Sequence, residues 1–79
     1  MTYEEACQQR DIIDQINDIA DKIERVLAIR AAINTVLAIW SAITGVPFPV
    51  PFPQNDDDDA VDAWWQNFFG QWNSEERCS

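Results

Sequence analysis

The side chains able to do chemistry in this chain are nearly all carboxylates: fourteen Asp and Glu against five Lys and Arg, with no His and two cysteines, Cys7 and Cys78. The densest group is the run Asp56, Asp57, Asp58, Asp59. Paired carboxylates divide acid and base roles only where their surroundings push their pKa values apart, and an unbroken, solvated run offers no such difference. A calcium loop needs oxygen ligands at alternating positions, a glycine at its bend and a distal Glu, none of which the run supplies. Without a His, no nucleophile, base and orienting group can be assembled, and two glycines, Gly45 and Gly70, are too few for a phosphate-cradling loop. The expectation is a non-enzyme with no catalytic, cofactor-binding or metal-ligating residue. The aspartates are expected to favour the start of the helix that follows them.

The formal charge of −9 argues against a nucleic-acid backbone or an anionic lipid surface as partner. Residues 1–11 are polar and acidic, so no cleaved secretory signal is expected, and the reading favours an intracellular protein or one held within an assembly. Two cysteines without a spacing pattern say little by themselves. If Cys7 begins one long helix, roughly 60 Å separate it from Gly45 at ~1.5 Å per residue, and free thiols are expected.

Stepping along the chain, Thr2 and Glu5 form a capping-box pair, and neither Pro nor Gly appears before Gly45 and Pro47. That predicts one long helix over about residues 3–44. Ile12, Ile16, Ile19, Ile23, Val26, Ile33, Leu37 and Trp40 recur at alternating steps of four and three, with Arg30 in the one polar place. This is a heptad seam, and the set is the expected oligomer interface. β-branched residues at both seam positions favour a trimer over a dimer. Asp18 with Lys22 and Asp21 with Arg25 are spaced four apart and are expected to pair along a wet face. From Ala31 to Asn55 there is no charge, so this half must be covered nearly all round.

Residues 45–55 carry the run VPFPVPFP, whose alternate prolines exclude both helix and central strand and leave Phe48, Val50 and Phe52 as an apolar row. It is expected to lie along the first helix as a stiff connector, or else to dock on a partner. An acid-capped second helix is expected within residues 56–73, over about 57–72. It places Val61, Trp64, Trp65, Phe68, Phe69 and Trp72 on one face, either folded back on the first helix or presented to a partner. Residues 74–79 form a tail.

The fold class is therefore all-α in one small domain, as a coiled-coil or helical-bundle oligomer. The function expected is that of a structural or adaptor protein that self-associates through the Ile-rich seam and docks into a larger assembly, in the style of small viral-particle components. Two other readings compete. A single-pass, holin-like or regulatory membrane protein would use the apolar stretch 26–46, although its uncharged part, residues 31–46, falls short of the ~20 residues a bilayer requires. An inhibitor would instead lay its acidic, aromatic C-terminal helix into a groove on one protein partner.

Overall fold

The N-terminal capping box forms as its residues predict: the Thr2 hydroxyl accepts from the Glu5 backbone N–H at 3.1 Å, and the Glu5 carboxylate reaches back to the Thr2 N–H. The long helix this cap begins does not persist. The computed structural model describes residues 1–75 and 78, and residues 3–44 divide there into α1 (Tyr3–Gln9), α2 (Asp11–Asp18) and α3 (Lys22–Thr44). A fourth helix, α4, runs over Asp58–Glu75, and no strand occurs among the described residues. At Arg10 the backbone stays right-handed, but Ile13 N–H bonds three residues back to the Arg10 carbonyl at 3.0 Å, a tightened turn between two helical segments.

The decisive break falls at residues 19–21. Ile19 and Asp21 are extended (ψ 117° and 122°), and the Asp21 carboxylate accepts from the N–H groups of Ile23 and Glu24 at 2.8 and 3.2 Å. Asp21 thus starts a new helix as its cap and is not the four-apart partner of Arg25. Both φ angles are negative, so any L-residue can make this bend. Absence of Gly and Pro therefore did not guarantee continuity.

The bend turns α1 and α2 back against α3, burying Ala6, Ile13 and Ile16 on that side. At its far end α3 stops at Gly45, whose φ of 82° is left-handed and whose N–H closes on the Ser41 carbonyl at 2.9 Å. Residues 45–57 then form neither helix nor strand. Phe48 meets Trp40 edge-on at 4.9 Å, and the Asn55 carbonyl accepts from Arg30 at 3.3 Å, so the connector returns along α3 toward its start. In consequence α4 runs in the same direction as α3, with Asp62 against Arg25 near one end and Trp72 beside Trp40 near the other.

The whole measures 32 × 23 × 20 Å with a radius of gyration of 12.0 Å, near the ~12 Å expected of a compact chain of this length. A straight helix over residues 3–44 would be about twice that longest dimension. The same bend corrects the expectation of free thiols. With α1 lying on α3 and α4 running alongside it, the Cα atoms of Cys7 and Cys78 come to 5.7 Å, and the two are joined in a disulfide. The expected tail is also shorter, since α4 continues to Glu75 and Cys78 is anchored; residues 76, 77 and 79 of that tail lie outside the described residues.

Candidate docking surface

Where the expected docking residues stand decides what is left to bind with. Trp64, Trp65, Phe68 and Trp72 are buried in the chain's own core with Trp40, and Phe48, Val50, Phe52 and Phe69 are half-buried against them. Trp64 and Phe68 stack at 5.2 Å, Phe48 meets Phe68 at 5.0 Å, and Phe52 meets Trp64 edge-on at 5.0 Å. The offset and edge-on geometries suit ring quadrupoles, each pair adding about 1 kcal/mol beyond area burial. The connector supplies a polar tie as well, because the Trp64 indole N–H donates to the Val50 carbonyl at 3.0 Å. The Trp65 indole donates to the Asn17 side chain at 3.1 Å, joining α4 to α2. Trp64, Trp65, Phe68 and Trp72 cannot reach a partner unless α4 leaves α3.

The expected seam is likewise divided. Ile16, Val26 and Trp40 are buried inside the chain, Ile12, Ile19, Ile33 and Leu37 are half-buried, and Ile23 alone is largely exposed, at 54%. Arg30, expected to sit in that seam, is held instead between the Asn55 carbonyl and the Asp58 carboxylate at 3.8 Å. It belongs to a set of three ion pairs between the N-terminal part of α3 and the start of α4. Lys22 bonds Asp59, and Arg25 reaches Asp62 through Nε at 3.1 Å while its Nη1 donates to the Ile19 carbonyl at 2.9 Å. The Asp59 hydrogen bond holds the Lys22 ammonium above its ordinary pKa of 10.5. Asp57 accepts from the N–H of Asp59 at 2.9 Å, so the aspartate run both caps α4 and clamps it to α3. Sequence reasoning had the first role and missed the second.

The face that remains open belongs to α3. Its buried side holds Val26, Ile29, Val36, Ile39, Trp40 and Ile43; the opposite side exposes Ile23, Glu24, Leu27, Ala31, Asn34 and Ser41. Leu27, at 62%, is the most exposed of the chain's large apolar side chains. Its place between seam positions kept it out of the expected interface. The one available signal was that α3 is apolar on every face while a chain this small has too little else to cover it.

No family model, curated protein or solved structure matches this chain. The surface is therefore judged on its own chemistry. Among the described residues no pocket opens, and no three Cys, Asp or Glu side chains gather as metal ligands. Asp57, Asp58, Asp59 and Asp62 are engaged in caps and ion pairs.

Proposed function

We propose that this protein is a non-enzymatic structural or adaptor protein that self-associates and docks within a larger assembly, with the outward row of α3 as its contact surface. The observation that carries this reading is the exposure of Ile23 and Leu27, one turn apart, on a helix that carries no charge from Ala31 to its end. Ile23 and Leu27, 54% and 62% exposed, together forgo about 2–3 kcal/mol of the stabilisation that full burial would give. A contact surface recovers it. The closed disulfide further supports a working environment where disulfides persist, outside a reducing cytosol.

The test is solution mass by light scattering across concentration, without detergent, for the wild type and Leu27→Asp. The wild type is expected to associate as concentration rises, and Leu27→Asp to remain monomeric with unchanged helicity. A wild type that stays monomeric throughout refutes self-association.

A second reading is supported by α3 itself, a helix of 23 residues in which an 18-residue window reaches a mean hydropathy of 1.8, long and apolar enough to cross a bilayer. In that reading α1, α2 and α4 must first separate from it, which breaks the aromatic packing and the ion-pair row. Flotation of the protein with lipid vesicles distinguishes the two. The groove-binding inhibitor has less support, because the aromatic face of α4 is turned onto α3 and the outward positions are Asp59, Ala63, Gln66, Asn67 and Gly70.

A further inference from the structure

The disulfide fastens a helix that the core itself holds only lightly. Cys7 lies on α1, and of the seven residues of that helix Ala6 alone is buried. Its partner, Cys78, follows the end of α4 by three residues. The ties that hold α2, α3 and α4 lie elsewhere. Lys22, Arg25 and Arg30 meet Asp59, Asp62 and Asp58, the Trp65 indole bonds Asn17 of α2, and Trp40, Phe48, Trp64 and Phe68 pack between α3, the connector and α4. Neither cysteine is fully buried.

What α1 covers follows from the chain reversal at residues 19–21. Antiparallel helices rise at the same rate, so a residue before the bend stands level with the one equally far after it, and α1 lies alongside about residues 31–37 of α3. The stretch of α3 without charge begins there, and Ala32, Ile33, Val36 and Leu37 within it are buried or half-buried. The outer side of α1 is Tyr3, Glu4, Glu5, Gln8 and Gln9, all exposed. A mostly polar helix thus shields an apolar one, and the tightened turn at Arg10 is its joint to α2.

We propose that the Cys7–Cys78 disulfide is a redox latch on this cover: a dithiol reductant opens the bond, α1 leaves α3, and the apolar stretch beneath is uncovered while α2, α3 and α4 stay packed. One thiolate of the reductant attacks a protein sulfur to form a mixed disulfide and expels the other protein sulfur as a thiol. The second thiol of the reductant then displaces the first protein sulfur. Two electrons and two protons pass to the protein, and the reductant leaves as its own disulfide. A small-molecule disulfide drives the reverse, because docking of α1 returns the two Cα atoms to 5.7 Å, within the reach of the bond. The cover is locked where disulfides persist and released in reducing surroundings.

The experiment compares the full chain in three forms: oxidised, reduced by a dithiol, and carrying Cys7→Ser with Cys78→Ser. Amide hydrogen exchange resolved by segment and binding of an apolar fluorescent dye are the readouts. In the second and third forms α1 is expected to exchange at least about tenfold faster and dye emission to rise, while α4 and the first turns of α3 keep their protection. Reoxidation is expected to restore α1 in the wild type and to leave the double variant unchanged. Protection of α1 that survives reduction overturns the latch. Loss of protection in all four helices at once also overturns it, since the bond would then support the whole fold. A second measurement does not depend on the reduced form staying folded: in native buffer the rate of reduction is expected to rise in proportion to dithiol concentration. A rate that levels off at the rate of global unfolding overturns the proposal, because the bond would then be reached only in the unfolded chain.

Discussion

Asp59 and Asp62 face cations on α3 three residues apart, yet their burial separates their worth. Lys22 and Asp59 have side-chain exposures of 46% and 80%, whereas Arg25 and Asp62 have 14% and 21%. Solvent screens the first pair, so Asp59→Ala is expected to leave the unfolding midpoint almost unchanged. Asp62→Ala leaves a largely covered guanidinium without its carboxylate and is expected to cost about 2 kcal/mol, read from urea unfolding midpoints. The Lys22 pair also has a pH signature. Its folded pKa is raised above the ordinary 10.5, so its contribution is fully present below that value and is lost as pH rises through the folded pKa. The unfolding midpoints of wild type and Lys22→Met are expected to differ by a constant amount through neutral pH and to converge only in strong alkali.

At the scale of the helices, the two glycines give opposite predictions although neither crowds a neighbour. A Cβ on Gly45 or on Gly70 meets nothing within 4 Å. Gly45 caps α3 at φ 82°, so Gly45→Ala is expected to destabilise by about 1 kcal/mol. Gly70 lies inside α4 without a positive φ, so Gly70→Ala is expected to stabilise by about 0.5–1 kcal/mol through helix propensity. Thermal melts of the two variants beside the wild type decide both, and equal shifts in one direction would contradict the backbone assignment. The start of α3 was also legible after the fact: Asp21 with Glu24 at the third helical position is a cap pattern, but its spacing to Arg25 offered a competing four-apart pair. Two short-range rules used the same residue, and only the fold chose between them.

For the molecule as a whole, the disulfide has the widest effect. It joins positions 71 residues apart, and closing so long a loop in the unfolded chain corresponds to about 4 kcal/mol by the chain-entropy estimate. A chain of 79 residues hides only ~60% of its unfolded surface, so such a constraint is a large share of its net stability. Reduction is expected to lower the denaturant midpoint sharply, and Cys7→Ser with Cys78→Ser to reproduce the loss. The polar segment α1, in which only Ala6 is buried, is expected to lose amide-exchange protection first. An unchanged midpoint in reductant would mean that the helical core carries the stability unaided.

Residue types and spacing by themselves determined the helical class, the capping box at Thr2, the stop at Gly45, the acidic start and aromatic face of the last helix, and the need to cover the uncharged stretch of the third. Each follows from interactions within a few residues: caps, dipoles, proline restrictions and periodic burial. Tertiary structure alone decided where the long helical pattern bends, because the bend at residues 19–21 uses conformations open to any residue and is favoured only by what folding back buries. From that one choice came the disulfide, the pairing of Lys22, Arg25 and Arg30 with the aspartates of α4, and the withdrawal of most of the heptad seam into the core. Leu27 was left outside because three sides of α3 were already occupied.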